Sequence, residues 1–119
     1  MAGELRLLYE SRAPERLAPL LAEDVRWGDD DHPRRCRGRH DVLRTLTTGA
    51  AAGAEAELHS LDVGEAGVLC ELTVRWPPGS GRPEAVRLFH VFVLRGGLIA
   101  EIRRYDDRAS AAEAAGVVA

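Results

Sequence analysis

The chain has 119 residues, which fits one domain and leaves little room for two, so residues 1–119 are read as a single unit. Hydrophobic residues make up 45% of it and the net charge is −3, which excludes a polar disordered chain and speaks against a nucleic-acid partner. No apolar run approaches the roughly 20 residues that cross a bilayer, and the first residues show no basic-then-apolar export signal, so no membrane partner and a cytoplasmic location are expected.

Leu5, Leu8 and Tyr9 have the i, i+3, i+4 spacing of a short amphipathic helix. Pro14 suits the first turn of a second helix that buries Leu17, Leu20 and Leu21. Pro19 removes a backbone donor inside that pattern, so this helix should be short or bent. Val25, Arg26 and Trp27 read as a brief strand, and Gly28 through Gly38 as a polar loop. A third helix follows, with Val42, Leu43 and Leu46 on its buried face and Gly49 near its end.

From about residue 55 the period becomes strand-like. Between Val68 and Trp76 the pattern alternates, with Cys70, Leu72, Val74 and Trp76 on one face and Glu71, Thr73 and Arg75 on the other. Pro77 to Pro83 is a turn. Val86 to Arg95 forms a strand, Gly96-Gly97 a tight hairpin, and Leu98 to Tyr105 its antiparallel partner. Asp107 or Ser110 can cap a last alanine-rich turn or helix before Gly116. Helices first and then an antiparallel meander define an α+β domain.

All 16 basic residues are arginine. A GC-rich coding sequence explains the bias, and the absence of lysine excludes Schiff-base chemistry. Arg34, Arg35, Arg37 and Arg39 follow Asp29, Asp30 and Asp31, so this segment largely neutralises itself. Cys36 and Cys70 read as two reduced thiols. His32, His40, His59 and His90 are scattered, and no paired metal-ligand spacing occurs. No metal site and no cofactor are expected, beyond weak cation binding by the Asp29–His32 run.

The stretch from Leu88 to Asp107, with its apolar strand, Gly turn, isoleucine strand and Arg103-x-Tyr105-x-Asp107 ending, resembles the closing hairpin of SnoaL-like proteins. Leu21 to Trp27, followed by Arg37 to Leu43, is similar to that family's first strand and the helix behind it. The resemblance covers nearly the whole chain. It implies a nuclear transport factor 2-like cone, with N-terminal helices packed on a strongly curved, mostly antiparallel sheet around a small-molecule pocket. The family includes ketosteroid isomerases, limonene-type epoxide hydrolases, polyketide cyclases and non-enzymatic modules, so the fold alone assigns no activity.

Chemistry in this fold uses carboxylates in an apolar cavity, where low dielectric raises their pKa. The hydrolase pattern of Arg-Asp-Tyr meets Arg103-Arg104-Tyr105 here, and a guanidinium cannot serve as the acid. The hydrolases' Arg-x-Asp triplet is also missing from Glu71 to Arg75. The isomerases' protonated Asp aligns with His90 if the turn differs by one residue, and with Phe89 if it does not. Their general base falls near Gly28 or Asp29. Their oxyanion tyrosine has no secure counterpart in Tyr9 or Tyr105.

The expected site is therefore His90 and Asp29 as catalytic candidates, with Trp27, Arg104 and Asp106 as ligand-binding residues. An arginine in an apolar pocket favours a small apolar ligand with an anionic or strongly polar group. In a strict two-residue hairpin Leu94 opposes Ile99 and His90 opposes Arg103, which leaves Arg104 on the other face. His90 and Arg104 share a face only if a bulge shifts the register.

Both faces of the sheet carry apolar residues: Val86, Leu88, Phe92 and Leu94 on one, Phe89, Val91 and Val93 on the other. Three short helices do not cover both, so a homodimer is expected. Three functional readings stay open. One is a small-molecule-binding protein with isomerase, cyclase or hydratase chemistry by proton transfer. The second is a non-catalytic ligand-binding or dimerisation module. The third is an anion-binding surface formed by the arginines of residues 34–39.

Overall fold

The computed structural model describes residues 1–29 and 36–118, with the backbone alone at Asp29 and Cys36. Its elements are α1 (Ala2–Ser11), a 3-10 segment (Pro14–Leu20), β1 (Leu21–Asp29), β2 (Cys36–Arg37), α2 (Arg39–Ala51), β3 (Glu55–Val63), β4 (Gly67–Arg75), β5 (Ala85–Arg95), β6 (Leu98–Tyr105) and α3 (Arg108–Ala115). The strands form one mixed, curved sheet in the order β2-β1-β6-β5-β4-β3. β1 runs parallel to β6, and the remaining pairings are antiparallel. The α+β class expected from the pattern is the class observed.

Several boundaries differ from the expected ones. The second helix is a 3-10 segment in which Leu17 is buried and Leu21 already belongs to β1. Pro19 withdraws the donor that a regular α-turn needs. β1 extends well beyond residues 25–27 because β6 and β2 hydrogen-bond it on both sides. Gly28 and Asp29 therefore lie in a strand, and so do Cys36 and Arg37. The predicted Asp30–Arg35 portion of the loop, with His32, Arg34 and Arg35, lies outside the described residues.

Two apolar clusters sit on opposite faces of the sheet. The inner cluster joins Leu5 and Leu8 of α1, Leu17, and Val42 of α2 to Val25, Val68, Cys70, Leu72, Leu88, Phe92, Ile99 and Ile102. The outer cluster joins Leu69, Phe89, Val91 and Tyr105 to Ala111 and Ala115 of α3. α3 starts at Asp107, whose side chain accepts the Ser110 N–H at 2.8 Å, and ends at Gly116 with φ +71°. Its C-terminal end is fastened to the β3–β4 turn. The Glu65 N–H donates to the Gly116 carbonyl at 3.2 Å and the Ala66 N–H to the Ala115 carbonyl at 3.0 Å.

Part of the apolar outer face is covered within the chain. Phe89 and Val91 are covered by the chain's own last helix. The neighbouring part of the outer face is polar, with Glu57 paired to Arg75, Glu71 to Arg87 and Arg108, Asp62 to Arg108, and His59 bonded to Thr73. Among the described residues no helix is long and apolar enough to cross a membrane.

Candidate functional site

The register of the β5–β6 hairpin decides which residues share the inner face of the sheet. Gly96 and Gly97 take φ +61° and +80°, the pair of positive values that a two-residue hairpin turn requires. Arg95 then pairs with Leu98 and Leu94 with Ile99. The next pairing is Val93 with Glu101, so Ala100 is an extra residue and the ladder bulges there. Beyond the bulge His90 stands opposite Arg104. The bulge thus brings His90 and Arg104 onto one face.

That face is laid out in rows. Leu61, Cys70, His90, Arg104 and Asp29 are successive partners across β3, β4, β5, β6 and β1. Phe92, Ile102 and Trp27 form the adjoining row on β5, β6 and β1. Trp27 meets His90 edge-on, with ring centroids 6.0 Å apart at 89°. Phe92 is edge-on to His90 at 6.1 Å and to Tyr9 at 6.5 Å. Tyr9 reaches down from α1, placing its hydroxyl 3.4 Å from His90 Nδ1. Sequence reasoning missed this contact. The two residues lie 81 positions apart, and the available signal was only that Tyr9 shares the apolar face of α1 with Leu5 and Leu8.

The electrostatics follow from burial. Desolvation, helped by the positive charge of Arg104, lowers the His90 pKa to about 4. Burial, helped by Cys70, pushes the Tyr9 phenol well above its usual range. Burial also pushes the Cys70 thiol up to about 12, with Arg6 opposing and Asp62 assisting. At neutral pH the inner face therefore presents a neutral imidazole, a protonated phenol and a protonated thiol. Tyr9, Trp27 and His90 are each only partly buried, while Cys70, Phe92 and Ile102 beside them are fully buried. Tyr9 and His90 are thus strongly desolvated while part of each residue stays exposed.

Arg104 stands at the rim, its side chain 44% exposed. Its distance to Asp106 is 3.5 Å, and the Asp106 carboxylate is 86% exposed just past the end of β6. Asp106 thus lies beside the rim, away from the aromatic group. Asp29 is next to Arg104 by backbone register, and its side chain lies outside the described residues. Among the described residues no cluster of His, Cys, Asp or Glu is suited to a metal ion.

A curved mixed sheet with three helical segments on its inner face is the architecture of the nuclear transport factor 2-like class. Residues 5–102 match the model of the SnoaL-like domain, and the chain belongs to that family. Solved structures agree on the fold. An uncharacterised cystatin-fold protein from Novosphingobium aromaticivorans superposes with a TM-score of 0.74 at 16% identity, covering 87% of this chain and 93% of that one. A candidate ketosteroid isomerase from Kribbella flavida gives 0.69 at 22% identity, covering 87% and 74%. An LEH-like epoxide hydrolase from M. tuberculosis gives 0.69 at 19% identity, covering 96% and 83%. At these identities the likeness is one of fold. No curated protein matches the chain.

Proposed function

We propose that this SnoaL-like domain binds a small, mainly apolar molecule in the hollow over His90, and that it selects one bearing a hydrogen-bond acceptor or an anionic group. The observation that carries this reading is the group Tyr9, Trp27 and His90, strongly desolvated but still partly exposed, with Arg104 beside it at the rim. Tyr9 keeps its proton, so its natural acceptor is the Nδ1 lone pair of His90. The imidazole proton then sits on Nε2. Trp27 and Phe92 offer apolar ring surface, His90 Nε2 a donor, and Arg104 a charge.

The reading is binding ahead of turnover. A base whose conjugate acid has a pKa of about 4 accepts protons poorly at pH 7. Proton transfer in an isomerase, cyclase or hydratase would need a second group, and Asp29, adjacent to Arg104 in register, is the one the sequence offers.

The test uses the fluorescence of Trp27 in a Trp76→Phe background, which leaves it as the one tryptophan of the two. The probes are medium-chain and alicyclic carboxylates and ketones, with the matching amines as controls. A saturable change with the acids, weakened about tenfold or more by Arg104→Ala, is expected. No saturable response from any of them, or amines binding as well as acids, would overturn the reading.

A further inference from the structure

We propose that the outer face carries a second binding site, separate from the His90 hollow, in which Arg26, Arg37 and Arg95 hold the phosphate group of a small molecule. At the β2–β1–β6 end of the sheet is an open hollow of about 390 Å³ lined by Asp24, Arg26, Arg37, Gly38, Arg95 and Ala100. Val25 and Trp27 point into the inner cluster, so Arg26 between them lies on the opposite face. Arg37 is its cross-strand partner and shares that face.

The shape follows from the chain. Ala100 is the extra residue of the bulge and brings only a methyl group. Gly38 brings none and holds φ +84°, a conformation that side chains rarely adopt. The small residues leave the space, and the guanidinium groups border it.

The charges explain what the space would take. Arg26 and Arg37 stand directly opposite each other on antiparallel strands, an arrangement that like charges disfavour. Arg26 is relieved on its other side by Glu101 at 3.2 Å. Arg95 binds both oxygens of Asp24, at 2.8 and 3.1 Å. The side chain of Arg37 has no partner among the described residues. Among the described residues, the three guanidiniums meet the carboxylates of Glu101 and Asp24, and Asp41 accepts only the backbone N–H of Arg37, at 3.1 Å. The Arg95–Asp24 pair is solvent-exposed and weakly held, and the Arg26–Glu101 pair is half-buried, so Arg95 turns toward a bound oxyanion more readily than Arg26. A phosphate monoester, with three free oxygens and nearly two charges, engages several guanidinium forks at once, whereas a carboxylate occupies one.

The test is a titration of the whole chain with inorganic phosphate at low ionic strength, followed through its backbone amide NMR signals. Saturable shifts at Gly38 and Ala100 are expected, with a Kd on the order of 1–10 mM. Arg37→Ala should weaken binding about tenfold, and Arg95→Ala should weaken it as well. The Trp27 response to inner-face probes should be unchanged in Arg37→Ala. Shifts that never saturate, a titration unchanged by both substitutions, or acetate binding as tightly as phosphate would overturn the proposal.

Discussion

The two faces of this sheet bury similar apolar residues in different ways. On the inner face large side chains from three helical segments meet the strands, and a tyrosine, a tryptophan and a histidine remain partly open to solvent. On the outer face one short helix uses little more than alanine methyls, Ala111 and Ala115, to cover Leu69, Phe89, Val91 and Tyr105. Alanine brings the helix backbone close to the sheet and leaves no hollow beneath α3. Under α1 the larger rings of Tyr9, Phe92 and His90 meet edge to edge instead. The difference in side-chain size, more than any difference in hydrophobicity, distinguishes the candidate site on the inner face from the sealed part of the outer face under α3.

The seal can be broken at Gly64, where the largest effect is expected. A methyl group there would run into the Ala115 carbonyl, which already accepts the Ala66 N–H. Backbone cannot yield as a flexible side chain does, so Gly64→Ala should cost about 3 kcal/mol in urea unfolding. If α3 is the cover, its release should also raise self-association in sedimentation velocity, because Leu69, Phe89 and Val91 become accessible. An unchanged midpoint and an unchanged sedimentation coefficient would mean that α3 does not seal this face.

The open face should show itself through pH. The pKa of His90 is about 4 in the folded chain, against about 6.5 for a free imidazole. The unfolded chain therefore binds more protons between these values, and stability rises with pH across that window. The contribution is complete above about pH 6.5 and is lost as pH falls toward 4. It amounts to at most about 3 kcal/mol, less the share that solvent reaching the ring removes. His90→Phe should flatten this acid limb while leaving the limb due to carboxylates. An identical limb in that variant would show that His90 is not desolvated, and the inner hollow would lose its main support.

The sequence made the hairpin legible because alternation over residues 86–105 and the Gly96-Gly97 pair point to the same turn. It left the bulge undecided. Ala100 is as ordinary in a regular strand as in a bulged one, and the shift is set by packing on both faces at once. The parallel pairing of β1 with β6 was equally silent, since it joins residues some seventy or more positions apart. α3 was visible as an alanine-rich helix, but with two alanines as its buried residues it gave little sign of which surface it would cover. Of the residues grouped on the inner face, the sequence reading named His90, Trp27 and Arg104 and left Tyr9 aside. Its partner lies across the fold, and only the register places His90 beneath it.

The smallest effect is the most specific. Arg104 adds its charge to the desolvation that lowers the His90 pKa, and it is the second of the two causes. Arg104→Ala removes that charge from the cross-strand neighbour and leaves the burial of the ring by Tyr9, Trp27 and Phe92 intact. The His90 titration, followed by the ring-proton NMR signals, should move upward and stay well below about 6.5. A return to the ordinary histidine value would make charge, not burial, the dominant cause, and the hollow would be wetter than the aromatic packing implies. No movement would mean that Arg104 points away from His90 despite their register. The inner face would then keep its apolar rings and its donor but lose the charge that distinguishes an anionic ligand.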